Sequence, residues 1–234
     1  MTEYKTWPIG NLPKTWQRPE LDIIKDHGYD IEDPRDAIDI FEKKIAKFTG
    51  SKYAVSVDSC TNAIFLCLKY LDLSGTVTIP SRTYVSVPMS IIHAGYEVSF
   101  RDMEWSGLYH LSPFPIYDSA ARFCENMYID GAFQCLSFQI KKRLPIGKGG
   151  MILTDNPLAY EWFKRARYEG RNLSVPYDEE DFDMIGWNMY MTPEDAARGI
   201  LLFDKLEGIE YERDITNQNS YPDLSTKKIF NKGR

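Results

Sequence analysis

The stretch Ser137-Phe138-Gln139-Ile140-Lys141-Lys142-Arg143-Leu144-Pro145-Ile146-Gly147-Lys148-Gly149-Gly150-Met151 decides how this chain is read. Apolar runs flank its polar centre, GAFQCL before and MILT after. Short apolar runs bounded by glycine and polar residues read as buried strands, here Cys135 to Gln139 and Met151 to Thr154. The linker between them is glycine-bearing and basic. One reading makes it a solvated turn; the other makes it a loop that projects a lysine into an anion-lined pocket. It is not a nucleotide-binding P-loop. The residue after Lys148 is Gly149 instead of Ser or Thr, and Lys142 stands where that motif needs its first glycine.

Outward from this loop, short strands alternate with helices. Asp36 to Phe48 carries Ala37, Ile40, Phe41, Ile45 and Phe48 at helical spacing, and Gly50 ends it. The reading continues with a strand at Lys52–Val57, a helix at Thr61–Leu71, a strand at Val77–Ile79 and a helix at Tyr84–Ala94. Strands follow at Glu97–Phe100 and Ile116–Asp118. Helices are expected at Leu158–Glu169 and Pro193–Leu206, the latter with Thr192 as N-cap and Pro193 in its first turn. The N-terminal residues are rich in Pro, Trp and Gly, which suggests an irregular arm with short helical pieces. The alternation predicts an α/β fold with a mostly parallel central sheet and helices on both faces. In such sheets ligands sit beyond the carboxyl ends of the strands.

The composition agrees with a globular chain and narrows its partners. Its 234 residues carry 28 Lys+Arg against 34 Asp+Glu, a formal charge of −6. No basic excess exists to displace counterions from a nucleic acid. No apolar run approaches the roughly 20 residues that span a bilayer, and the N-terminus lacks the pattern of a secretory signal. Cys60, Cys67, Cys124 and Cys135 form no C-x-x-C pair, so free thiols in a reducing, cytoplasmic setting are expected. His27, His93 and His110 show no metal-ligand spacing, and His93, in an apolar stretch, reads as a packed residue. No metal site is expected.

Two further places combine a strand end with polar residues. At Val57-Asp58-Ser59-Cys60-Thr61-Asn62-Ala63 a strand runs through a polar turn into a helix, whose free first-turn N–H groups favour an anion. A plain N-cap by Ser59 or Thr61 is the other reading. At Pro115-Ile116-Tyr117-Asp118-Ser119 an aspartate closes an apolar strand. It can pair with a cationic ring nitrogen or a metal, or simply cap a helix.

Together, the order and spacing of these three places resemble the DegT/DnrJ/EryC1/StrS aminotransferases, pyridoxal-phosphate (PLP) enzymes of fold type I that act mainly on nucleotide-linked keto-sugars. The resemblance runs from about Asp36 to about Leu206. In that family a Ser-Phe-His/Gln segment precedes the Schiff-base lysine by the step that separates Ser137 from Lys142, and a Gly-Gly pair follows. This implies Lys142, not Lys141, as the catalytic lysine. The resemblance further implies that Ser59, Cys60 and Thr61 form a phosphate loop, with Ser137 as a second phosphate-binding hydroxyl. Tyr84 would stack on the pyridine ring, and Asp118 would pair with its nitrogen. Asn188, in Gly186-Trp187-Asn188-Met189-Tyr190-Met191, would reach the cofactor phosphate of a partner subunit, implying a homodimer.

Several positions depart from the family. Tyr117 stands where it has Glu, Ala121 where it often has His or Gln, Lys148 where it has an acidic residue, and Tyr190 where it has Arg. Cys60 occupies a position usually held by a small residue. The implied chemistry is transfer of an amino group from an amino acid, glutamate by resemblance, to a nucleotide-linked keto-sugar. Two alternatives stand beside it: a PLP-binding protein with little or no transaminase activity, and a cofactor-free structural or regulatory module. Residues 1–35 are expected to form the arm, 36–207 the PLP-binding large domain and 208–234 a polar tail too poor in apolar anchors to make a domain. The family normally continues into a smaller C-terminal domain.

Overall fold

The computed structural model describes residues 18–206, 208–210 and 216–230. Residues 1–17 of the expected arm lie outside the described residues. Six helices are described, α1 (Pro19–Asp26), α2 (Asp36–Thr49), α3 (Cys60–Leu71), α4 (Ser86–His93), α5 (Pro157–Ala166) and α6 (Pro193–Asp204). The strands are β1 (Tyr53–Val57), β2 (Thr76–Pro80), β3 (Glu97–Arg101), β4 (Tyr109–His110), β5 (Ile116–Asp118), β6 (Phe133–Ser137) and β7 (Gly150–Thr154).

Helix ends follow local chemistry. Ser59 caps α3 by accepting from Asn62 N, and Thr192 caps α6 by accepting from Asp195 N. Gly50 ends α2 in the left-handed conformation, at φ 81°. Pro19 occupies the first turn of α1, one of the short helical pieces expected of the arm, where its missing N–H costs nothing.

One five-stranded sheet has the order β1-β7-β6-β5-β4, and β2 and β3 form a second, parallel pair. The expectation of a mostly parallel sheet is corrected here. Within the five-stranded sheet only β5–β6 is parallel; β1–β7, β7–β6 and β5–β4 are antiparallel. The reason lies in the connections. A parallel neighbour needs a crossover, and α4 supplies one between β2 and β3. The link from Phe138 to Gly149 contains no helix, and β4 joins β5 through a tight hairpin, so both pairs turn back on themselves. The two sheets meet through Thr78 and Ser112, whose N–H groups each donate to the other's carbonyl, at 2.7 and 3.1 Å.

Helices do cover both faces. Val55, Val57, Cys135 and Ile152 point toward α3, α4 and α5, burying Ile64, Leu68, Ile91 and Phe163. The alternate residues Ala54, Leu136, Met151 and Leu153 point toward α1, α2 and α6 with Leu21, Phe41, Ile45 and Ile200. This is the period-two alternation of strands covered on both sides. On the second face Arg167 and Glu42, both almost fully buried, form an ion pair through Arg167 Nη1, while Ser56 N and Oγ donate to Glu42 Oε1 at 2.8 Å each. His93 is exposed at the end of α4, not packed as expected, because the apolar face of that helix turns Ile91 inward instead.

The tail folds back on the body. Leu224 is buried and its N–H donates to Ser81 O at 2.8 Å, while Phe230 meets Phe100 edge-on. Gly107 N donates to Thr216 O at 3.0 Å. Among the described residues no helix is long and apolar enough to cross a membrane.

Candidate active site

The strand directions gather polar residues at one sheet edge. β1, β5 and β6 run the same way, so Val57, Asp118 and Ser137 end together; β7 runs against them and begins there. Gly150 lies beside Val57 on one side and Ser137 on the other. A Cβ on Gly150 would stand 2.5 Å from Cys60 N and 2.6 Å from Ser59 O. The turn into α3 is therefore pressed against β7 with no room for a side chain.

A cavity of about 1030 Å³ opens at this edge. Ser59, Cys60, Thr61, Tyr84, Asp118, Ser137 and Lys142 all line it. Asn188 does not. It is exposed and its Nδ2 donates to Glu169 Oε1. Of the two readings of the β1–α3 turn, Ser59 is an N-cap: its hydroxyl accepts from Asn62 N at 3.2 Å and donates to Asp58 Oδ1 at 3.1 Å. Thr61 Oγ1 lies 2.8 Å from Ser86 Oγ. The first turn of α3 still faces the cavity, where unpaired N–H groups and the helix dipole favour an anion.

Asp118 is buried, 6% exposed, on the cavity floor. Tyr109 Oη donates to its Oδ2 at 2.5 Å, and Ala120 N donates to its Oδ1 at 2.9 Å. The Cys60 thiol also points to Oδ1, at 3.9 Å. Burial raises the Asp118 pKa above the usual carboxylate value, against the lowering effect of the Tyr109 hydroxyl, the Ala120 N–H and the nearby Lys142 charge. The Cys60 thiol is pushed well up, first by loss of hydration and then by the Asp118 charge. Tyr109 is raised for the same two reasons. The Lys142 ammonium makes no hydrogen bond or ion pair among the described residues, whereas Lys148 pairs with Asp58 at 3.2 Å.

Sequence reasoning did not find Tyr109, Thr83, Trp105 or Tyr221. Tyr221 arrives from the tail, stacks on Trp105 with ring centres 5.7 Å apart, and meets Tyr84 at 6.5 Å. The buried Thr83 directly precedes Tyr84, the one predicted residue that pointed near it. All four cysteines are free, with Cys67 and Cys135 buried. No group of His, Cys, Asp and Glu among the described residues is arranged to hold a metal.

The model of the DegT/DnrJ/EryC1/StrS aminotransferase family matches residues 30–112 and 129–222. The chain belongs to that family. It is 44% identical to the spore coat polysaccharide biosynthesis protein SpsC of Bacillus subtilis (strain 168), over an alignment covering 83% of this chain and 64% of the relative. It is 24% identical to the GDP-perosamine synthase of Escherichia coli O157:H7, covering 81% and 62%. The chain thus spans less than two thirds of the length of these relatives. Among solved structures, AtS13 from Actinomadura melliaura superposes with a TM-score of 0.67 at 18% identity, covering 81% of this chain and 64% of that one. DesI, in the presence of its TDP-sugar product, gives 0.60 at 18% identity, covering 81% and 57%. At such identities these two establish the shared fold. Part of the length difference is internal. The SpsC alignment runs over 255 positions but uses 83% of this chain's 234 residues, about 194, so about 60 positions of the relative have no counterpart here.

Proposed function

We propose that this chain is a PLP-dependent aminotransferase that moves an amino group from an amino acid, glutamate first among candidates, to a nucleotide-linked keto-sugar. The observation that carries this reading is the meeting of Lys142, Asp118, the Ser59–Thr61 turn, Ser137 and Tyr84 around one cavity, from four separate segments. The donor set suits the cofactor. A helix start and hydroxyls offer themselves to its phosphate, a buried carboxylate to its ring nitrogen, and an amine with no hydrogen bond or ion pair among the described residues to its carbonyl. The cavity is also lined by Arg122, Lys141, Arg143 and Lys148, in a chain of net charge −6. Such local concentration of positive charge focuses anionic ligands. That SpsC is named for polysaccharide biosynthesis and the second relative for GDP-perosamine points to the sugar class.

Bound PLP supplies an electron sink for the carbanion formed when the donor loses its α-proton. The N–H groups at Cys60 and Thr61 and the Ser137 hydroxyl would hold its phosphate. Asp118 as an anion would keep the ring nitrogen protonated, and Tyr84 would cover a ring face. Lys142 Nζ, as a neutral amine, would bond the cofactor at rest and then carry the proton as general base. The same residues would run the reverse half with the sugar. We infer a homodimer: Asn188 is exposed outside this cavity, so a phosphate it reaches belongs to another subunit. The four free thiols agree with a cytoplasmic setting.

An absorbance titration with PLP tests the reading. Wild type should develop a cofactor band near the visible edge that Lys142→Ala abolishes, and excess glutamate should replace it with the spectrum of the aminated cofactor. No band in wild type would refute PLP binding. A band indifferent to glutamate would reject glutamate as the donor.

A further inference from the structure

Asp118 is the group on which the proposed chemistry turns, and its setting names a residue that neither the family match nor the motif spacing singles out. Tyr109 has one hydroxyl proton, and it is directed at Asp118 Oδ2 at 2.5 Å. Thr83 Oγ1 also lies 2.5 Å from Tyr109 Oη. With the Tyr109 proton already committed, that second contact runs with Thr83 donating. The result is a directed relay, Thr83 to Tyr109 to Asp118, whose members are 2%, 5% and 6% exposed. Trp105 packs on the Tyr109 ring at 4.9 Å and is itself fixed by donating Nε1–H to Arg82 O at 2.9 Å. The phenol therefore has no room to swing away. Thr83 adjoins Tyr84, so the relay ties the segment carrying that ring to the carboxylate.

We propose that Tyr109 is a positioning residue for the cofactor site, aiming Asp118 into the cavity and keeping it ionised, with Thr83 as the donor that orients it. The proposal rests on the reading of Asp118 as the partner of the PLP ring nitrogen. Several groups face Asp118. Tyr109 comes from β4, the Cys60 thiol from the start of α3, Cys135 from β6, Lys142 from the β6–β7 loop and Tyr221 from the tail. Lys142 is the cation among them. Since it is also the amine that must become neutral, it cannot be the sole support of the anion. A donor that remains in place through the reaction is needed, and the buried phenol meets that need. Of the groups that hold the Asp118 proton affinity down, the Tyr109 hydroxyl contributes most.

The test uses the full chain as wild type, Tyr109→Phe, Thr83→Val and Thr83→Ser. The first readout needs no cofactor. In protein labelled with 13C at the aspartate carboxyl carbons, the resonance lost in Asp118→Asn reports the titration of Asp118. Its midpoint should rise in Tyr109→Phe by about one pH unit, a tenfold gain in proton affinity. Thr83→Val should shift it less, and Thr83→Ser should restore it. The second readout is PLP affinity by absorbance titration across pH, expected to weaken in Tyr109→Phe in proportion to the fraction of Asp118 that the shifted midpoint leaves protonated. An unshifted Asp118 midpoint in folded Tyr109→Phe would overturn the proposal. If Tyr109→Phe does not fold, identical midpoints in the Val and Ser variants of Thr83 would overturn it. Failure of wild type to bind PLP would refute the proposed function, while the carboxyl titration would still decide the relay.

Discussion

Gly150→Ala is the sharpest probe of how the scaffold builds the phosphate turn. Gly150 opens β7 between Val57 and Ser137, and its backbone φ is not positive, so alanine meets no conformational penalty of its own. The cost comes from contact. The new Cβ would stand 2.5 Å from Cys60 N and 2.6 Å from Ser59 O, both backbone atoms. Ordinary contact needs roughly 1 Å more. The turn cannot retreat cheaply. Ser59 O accepts from Ala63 N at 3.0 Å, Ser59 Oγ caps Asn62 N at 3.2 Å, and Asp58 N donates to Met189 O at 2.9 Å. Overpacking against such a held segment costs about 1–3 kcal/mol, or more where backbone must move. For a chain of this size that is a fall in melting temperature of about 2–12 °C. Circular-dichroism melts of the cofactor-free variant measure it, and a PLP titration should show weaker binding because the first turn of α3 is displaced. A melt matching wild type together with unchanged PLP affinity would refute the claim that this contact sets the turn.

Glu42→Gln leaves Arg167 charged and buried with only neutral acceptors, Ser56 among them, and losses approaching those of broken buried pairs, about 3–5 kcal/mol, follow. Urea unfolding should show it, and a loss below about 1 kcal/mol would mean that water or a shift of Ser56 compensates. Cys60 lines the cavity, yet its thiol pKa is pushed well up by burial and by Asp118. The thiolate is the reactive form, so at pH 7.5 peptide mapping should find iodoacetamide labelling of Cys60 at least about tenfold slower than of free cysteine. The rate should keep climbing as pH passes 9, the ordinary value for the thiol. Labelling as fast as a free thiol at neutral pH would contradict the Asp118–Cys60 geometry.

How much was legible in the sequence differs from element to element. The helix at Asp36 and the strand at Ile116–Asp118 were readable because each is a local pattern of apolar residues closed by a glycine or a polar residue. The places that surround the cavity were readable too, since Asp118 and Ser137 each close a strand, and the Ser59–Thr61 turn and the loop carrying Lys142 each follow one. Strand direction was not. Alternation of strand and helix suggests crossovers, but nothing in CLSFQ or MILT says that β7 turns back beside β6 and also meets β1. Tyr109 was invisible for a different reason. It is one of 15 tyrosines, and its role arises only when β4 is laid antiparallel to β5, opposite Asp118. Where the tail docks was not legible, because Tyr221, Leu224 and Phe230 are few, and the rings of Tyr221 and Phe230 find their partners only in the folded body.

The returning tail also has a mechanical meaning. Thr216 is fastened to Gly107 beside β4, and Leu224 to Ser81 beside β2, so a short length of chain bridges the junction where the two sheets meet through Thr78 and Ser112. Residues lining the cavity come from both sides of that junction, Thr83 and Tyr84 from one and Asp118 and Lys142 from the other. A segment this short has little slack once both ends are fixed. Separating the two sides of the mouth would therefore pull on both of these fastenings.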